Sequence, residues 1–236
     1  VTENPISNVT TLAFDIFGTV LDLAGSLVPP ASRFLADHGA GIGGEAFWAQ
    51  WRARQRIEQY QDNILMLGHS GYLETCRRAF VYTLQSNEVE FKHDDVRDFM
   101  AAYQQLVPYE DAIQGLRRLA SRFKLVALSN GEQVYLEHLA NNQIQVDFDA
   151  VISVEHAGVF KPHPAVYRTA TRMLQLEPGQ IMMVAAHSFD ILGARACGFR
   201  GAYVDRYNLP LEDAAQPSDL NVRDFIELSD RLLSKG

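Results

Sequence analysis

The stretch AFDIFGTVLD, residues 13–22, decides how the rest of the chain is read. An apolar run from Val9 through Phe14 ends on a carboxylate, Asp15, and an aromatic ring, Phe17, follows just before Gly18 and Thr19. A short continuous apolar run is the pattern of a strand buried on both faces of a parallel sheet. A charge at its end then sits at the carboxyl edge of the sheet, where open α/β sheets bind ligands. The ring beside that charge raises the question of what chemistry prefers it to a second polar group.

Beyond this strand the period changes. From about residue 27, Phe47, Trp48, Trp51, Tyr60, Ile64 and Leu67 recur at steps of three and four or their multiples, as do Leu73, Cys76, Phe80 and Leu84. Gly68, Ser70 and Gly71 separate the two stretches. Residues 27–105 are therefore expected to be helical, with no strand of their own. After Pro108 a helix is expected over 110–121, then a strand KLVALSN over 124–130 and a helix over 131–141. A strand at 150–154, a helix at 164–174, a strand at 181–186, a helix at 189–197 and a strand at 201–205 complete the alternation. Such alternation implies a parallel sheet with right-handed crossovers. The expected fold is α/β: a Rossmann-like core from residues 1–26 and 106–236, interrupted by an all-helical cap over 27–105.

Composition narrows the class. With 236 residues and 47% hydrophobic content, the chain supports a sizeable core. A net charge of -8 disfavours nucleic acid and requires any anionic substrate to meet a local positive site. The two cysteines, Cys76 and Cys197, are far apart and lack zinc-type spacing, so both are expected as buried, reduced thiols in a cytoplasmic protein. The polar start, VTENPISN, and the lack of any apolar run near 20 residues predict neither a leader nor a membrane span.

Four strand ends carry polar groups: Asp15, Ser129–Asn130–Gly131, Lys161–Pro162, and His187 with Asp190. Asp15 alone would serve as a turn cap and Asp190 alone as a helix N-cap. Their convergence on one sheet edge points to a site instead. These residues also resemble the four motifs of the haloacid dehalogenase superfamily, in order: D-x-x-G-T at 15–19, S-N-G at 129–131, K-P at 161–162, and an acidic stretch ending at Asp190. Most members of that superfamily are magnesium-dependent phosphotransferases with a second acid at the place of Phe17 and another near that of Ala186. An aromatic at the first place resembles the L-2-haloacid dehalogenase branch, which needs no metal because a halide leaves without protonation. The resemblance thus implies no cofactor, a small haloacid substrate, and no nucleic-acid or membrane partner.

It also implies roles. Asp15 would be the nucleophile that forms an ester, Lys161 the cation that keeps it ionised, and Asp190 the base for ester hydrolysis. Phe17, Thr19, Ser129 and Asn130 would line or hold the substrate, its carboxylate meeting Ser129 and backbone N–H groups, including that of Asn130 at a helix start. Trp51–Arg52 resembles the cap helix whose arginine receives the halide, although Arg52 also reads as an exposed arginine beside an amphipathic stripe, as Arg54 and Arg56 do. Tyr167 matches a site position or is a core tyrosine. His187 stands where better-known dehalogenases have asparagine, and resembles branch members accepting fluorinated acids. It is either a donor to water or halide or an ordinary loop histidine. Phe17, Phe189, Trp48 and Trp51 are expected to enclose a small dry pocket, and the apolar cap to form a homodimer. A divergent magnesium-dependent phosphatase and a non-catalytic binding protein remain as alternatives.

Overall fold

The apolar run forms β1 (Thr11–Phe14), buried throughout, in a computed structural model that describes residues 6–66, 68–209 and 217–234. Residues 1–5 of the polar start, and Leu67 of the helical pattern, lie outside the described residues. The Asp15 amide still donates to the Val184 carbonyl (3.0 Å), so the carboxylate is carried directly on the end of the ladder. A tight turn follows in which the Ile16 carbonyl accepts from the amides of Val20 and Leu21 (3.1 and 2.9 Å). Gly18 holds φ +85° in this turn, and a Cβ there would lie 2.5 Å from the Tyr207 hydroxyl, so glycine is required on two counts.

The turn leads into β2 (Leu21–Asp22) and α1 (Leu23–Asp37). Helix α1 starts earlier than the expected residue 27 because Asp22 caps it, its carboxylate accepting from the Gly25 amide (2.9 Å). Helices α2 (Gly44–Leu65), α3 (Tyr72–Ser86) and α4 (His93–Met100) and a 3-10 turn (Ala101–Gln105) complete a helical insert. The chain returns through β3 (Val107–Pro108), which pairs antiparallel with β2. Entry and exit of the insert therefore form one short ribbon, invisible to a reading by period because each strand has two residues. Trp51 is the centre of the insert's core. It is 1% exposed, lies edge-on to Phe80, Phe99 and Tyr103, and donates its indole N–H to the Cys76 carbonyl (2.9 Å). Truncating such a ring to alanine costs about 3–5 kcal/mol.

Beyond the insert come α5 (Glu110–Leu119), β4 (Lys124–Ser129), α6 (Gln133–Leu139) with a π-turn over Ala140–Ile144, and β5 (Ala150–Ser153). Next are α7 (Pro164–Leu174), β6 (Ile181–Ala185), α8 (Ser188–Ala196) and β7 (Arg200–Val204). A further strand and helix that the sequence reading did not anticipate, β8 (Leu220–Val222) and α9 (Phe225–Leu233), close the described chain. The six-stranded sheet has the order β5-β4-β1-β6-β7-β8, with every pairing parallel. The chain builds away from β1 on one side through β4 and β5, and on the other through β6, β7 and β8. That makes the carboxyl end of β1 the topological switch point, where a crevice opens. Phe14 stacks on Phe225 of α9 (5.8 Å between centroids), which fixes one face of β1.

Several hydrogen bonds fasten the insert to the rest of the chain, among them one from the Tyr135 hydroxyl to the Tyr103 carbonyl (2.6 Å). The Asn63 side chain donates to the Phe160 carbonyl and accepts from the Phe160 amide, both at 2.8 Å. The Leu73 amide donates to the Glu132 carboxylate (3.1 Å). Both cysteines are free; Cys76 is buried, but Cys197, at the end of α8, is half-exposed rather than buried. Among the described residues no helix is long and apolar enough to cross a membrane.

Candidate active site

Asp15 is 6% exposed and held on both oxygens. One receives the Thr19 hydroxyl (2.7 Å) and His187 Nδ1 (3.1 Å); the other faces the Lys161 ammonium at 3.5 Å. Thr19 in turn accepts from the Ala186 amide (2.9 Å), so it ties the ends of β1 and β6 together and orients Asp15. Lys161 is 1% exposed. Its ammonium donates to the Leu128 carbonyl (2.5 Å) and, more closely than to Asp15, to Asp190 Oδ2 (2.7 Å). Tyr167 donates to Asp190 Oδ1 (2.7 Å). It is wholly buried, it holds Asp190, and it is not among the residues lining the central cavity.

Burial alone would raise both carboxyls. For Asp15 burial is outweighed by the Lys161 charge, by the His187 hydrogen bond and charge, and by Thr19, and its pKa falls below the ordinary carboxylate range. For Asp190 burial wins, assisted by the nearby Asp15 charge and opposed by Lys161 and Tyr167, and its pKa is pushed up to about 6. Two carboxylates around one ammonium are thus driven apart: one a permanent anion, the other able to exchange a proton near neutrality.

His187 is lowered by burial first, against the hydrogen bond and charge of Asp15, with Arg52 and Arg56 adding to the lowering. A carboxylate only accepts, so the proton of the neutral ring sits on Nδ1 and is donated to Asp15. Nε2 is then a lone-pair acceptor, buried and without a partner among the described residues. This arrangement makes His187 a support for Asp15. It does not present the leaving-group donor that was one of the two roles expected from sequence.

The remaining walls come from β4 and the insert. Asn130 accepts the Lys161 amide (2.9 Å) and its side-chain amide points to Gln59 (3.4 Å). It lies in the turn before α6, whose first residue is Gln133, so its backbone is not at a helix start. The Ser129 hydroxyl is buried with no partner among the described residues. Phe17 stacks on Tyr72 (4.0 Å, 7°), forming a dry wall beside Asp15. Arg52, Arg56 and Gln59 of α2 line the same cavity with Asp15, Lys161, Asn130, His187 and Phe189. Arg52 also donates to Gln55. The cavity's free volume is about 20 Å³, room for little more than one water-sized group. A neighbouring cavity of about 270 Å³ shares Arg56, His187 and Phe189 with it.

Three expectations change here. Trp48 and Trp51 pack in the insert rather than line the cavity, and Tyr72 takes their place. Arg56, expected to be exposed, turns into the cavity. Gln59 and Tyr72 were not singled out at all. Arg52, Arg56 and Gln59 follow one another at helical steps of four and three, a polar stripe that points inward, and that spacing was the available signal.

The donor set does not suit magnesium, which wants oxygen ligands in near-octahedral array. Phe17 and Ala186 occupy the two places where acids would stand, and the Lys161 ammonium bridges the two carboxylates. No group of three or more His, Cys, Asp or Glu able to hold a metal ion occurs among the described residues.

The chain is similar to known proteins over most of its length. The model of the haloacid dehalogenase-like hydrolase family matches residues 9–198. The (S)-2-haloacid dehalogenase of Xanthobacter autotrophicus is 34% identical over 199 residues, covering 84% of this chain and 76% of that protein. Haloacetate dehalogenase H-2 of Moraxella sp. (strain B) is 25% identical over 219 residues, covering 92% and 95%. The solved structure of the L-2-haloacid dehalogenase from Xanthobacter autotrophicus with chloropropionic acid covalently bound is 28% identical, with a TM-score of 0.83 over 96% of this chain and 98% of that one. The chain belongs to the haloacid dehalogenase-like hydrolase family, and its likeness lies with the L-2-haloacid dehalogenase branch.

Proposed function

We propose that the protein hydrolyses short 2-haloacids, haloacetates above all and fluoroacetate among them, through an ester on Asp15. The observation that carries this reading is a buried carboxylate kept anionic by Lys161 and flanked by the stacked Phe17–Tyr72 pair instead of a second acid. A phosphoryl leaving group needs a proton or a metal beside the nucleophile; a halide needs neither. The names of the relatives, (S)-2-haloacid dehalogenase and haloacetate dehalogenase, support the substrate class.

In this mechanism an Asp15 oxygen attacks the halogen-bearing carbon, the carbon–halogen bond breaks, and the halide leaves with its electron pair toward Arg52. Water then adds to the carboxyl carbon of Asp15 while Asp190 takes one of its protons; the ester C–O bond breaks, the second water proton passes to the departing alkoxide oxygen, and the 2-hydroxy acid leaves Asp15 as a carboxylate. The substrate carboxylate meets the free Ser129 hydroxyl and backbone N–H groups of the turn after Asp15. Orientation and preformed charge supply the rate. A haloacid needs this cavity to widen toward its larger neighbour, which shares Arg56, His187 and Phe189, and substrates without a side chain require the least widening. We assign the helical insert as the cap over the sheet core, with its start moved from the expected residue 27 to Leu23, where α1 begins, and its end kept at the expected residue 105. We also infer a homodimer, because Ile57, Ile64, Leu65, Met66 and Tyr82 are exposed on α2, its end and α3.

Halide release from chloroacetate, fluoroacetate and 2-chloropropionate, with and without EDTA, tests the reading. Activity is expected to survive EDTA. Loss of activity in EDTA with recovery on adding magnesium would sink it, and a much higher kcat/KM for 2-chloropropionate than for chloroacetate would sink the preference for small acids.

A further inference from the structure

Arg56 has no role in the chemistry described so far, yet it faces the reacting groups. It lines the cavity that holds Asp15 and the larger one beside it. Its Nε is buried without a hydrogen-bond partner among the described residues. Arg54, two residues earlier on α2, is paired with Glu58 (2.5 Å). Among the described residues neither Arg52 nor Arg56 has such an ion pair, and Arg56 lies over the face of Phe189, 5.7 Å from the ring centroid. Burial and the like charge of Arg52 both act against its proton. Two guanidiniums lining one cavity, partly desolvated and with no direct ion pair among the described residues, have only the longer-range charge of Asp15 in Arg56's favour, and a further anion that joins them offsets their repulsion.

The reaction supplies two anions at once. Before it begins, the cations Lys161, Arg52 and Arg56 face the carboxylates Asp15 and Asp190, so one monoanionic haloacid brings the site to neutrality. In the ester, Asp15 has lost its charge, but halide and substrate carboxylate are now separate anions, and the count is again balanced. Without Arg56 both stages would carry an excess negative charge in a nearly dry space. A carboxylate has about four lone-pair sites on two oxygens, so donors on the sheet side leave one oxygen free toward α2.

Resting on the dehalogenase reading above, we propose that Arg56 is the ionic partner of the substrate carboxylate, gripping it from the α2 side while Arg52 receives the halide. Arg56 is then a specificity-determining residue, selecting 2-haloacids over uncharged haloalkanes.

The test separates binding from turnover. Acetate, which cannot react, and bromide are titrated calorimetrically into wild-type protein, Arg56→Gln and Arg56→Lys, with thermal melts as a check on folding. Arg56→Gln is expected to weaken acetate binding about 10- to 100-fold, the range of one lost charge-assisted hydrogen bond, while bromide binding changes less than about threefold by the same reasoning. Arg56→Lys should recover part of the acetate affinity. In turnover, KM for chloroacetate should rise far more than kcat falls. Acetate binding unchanged in Arg56→Gln, loss of bromide instead of acetate, or wild-type protein that binds no acetate would each overturn the proposal. If wild-type protein releases no halide but Arg56→Gln still loses acetate, the carboxylate subsite stands and the dehalogenase reading falls.

Discussion

Replacing Asp190 by asparagine should make the protein more stable and leave the reaction half finished. The carboxyl of Asp190 is pushed from 3.8 up to about 6 in the folded protein. The folded state therefore binds its proton more tightly than the unfolded state does. Stability from this group is complete below the unfolded value and is lost as pH rises through about 6. Two units at about 1.4 kcal/mol each amount to about 3 kcal/mol withdrawn from the fold at pH 8. Asparagine fits the same place. Its oxygen accepts from Lys161, its amide donates to the Tyr167 hydroxyl, and that hydroxyl keeps its bond to the Asp190 backbone carbonyl (3.2 Å). Asp190→Asn should thus gain about 2–3 kcal/mol over wild type at pH 8, a Tm rise of about 5–10 °C for a chain of this size, and the gain should vanish near pH 4. Scanning calorimetry from pH 4 to 8 measures this. With chloroacetate the variant should accumulate an ester on the peptide containing Asp15, visible by mass spectrometry. A variant that matches wild type at pH 4 but is less stable at pH 8 refutes the reasoning, because Asp190 would then be a net stabilising partner of Lys161.

Asp15→Asn should lose turnover entirely, with no adduct on any peptide; an adduct elsewhere would assign the nucleophile wrongly. Tyr167→Phe removes the hydroxyl that favours the charged form of Asp190, a bond worth about 1.5–3 kcal/mol. The acid limb of the kcat–pH profile should move upward by about 1–2 units, and an unmoved limb would make Tyr167 a packing residue only. Sedimentation at micromolar concentration should give twice the chain mass, and a value near 26.4 kDa would refute the dimer.

What sequence made legible followed from period and edge. The run ending at Asp15 and the groups at 129–130 and 187 lie at or just past strand ends, Lys161 stands in the connection eight residues after β5 and Asp190 in the first turn of α8, so an alternating pattern was enough to bring them to one edge. Arg56 was missed because a helical stripe is read from its apolar members, and a polar stripe aimed inward looks the same as one aimed at solvent. Tyr72 was missed because nothing local to it shows that its ring will meet Phe17, 55 positions earlier. Trp51 misled for the opposite reason. Its neighbour Arg52 points to the cavity, and consecutive helical residues face about 100° apart, which sends the indole into the core of the insert.

Asn63 grips the peptide of Phe160 on both its N–H and its C=O, and the next residue along is Lys161. The ammonium that keeps Asp15 anionic is thus one peptide away from the bond that holds α2 down. Cutting that grip is expected to loosen the loop that aims the charge and so to raise the Asp15 pKa toward its ordinary value, which makes a hydrogen bond far from the carboxylate one of the things that keep it anionic. Slow hydrogen exchange at the Phe160 amide, accelerated in Asn63→Leu together with an upward shift in the Asp15 titration, is the signature of that coupling.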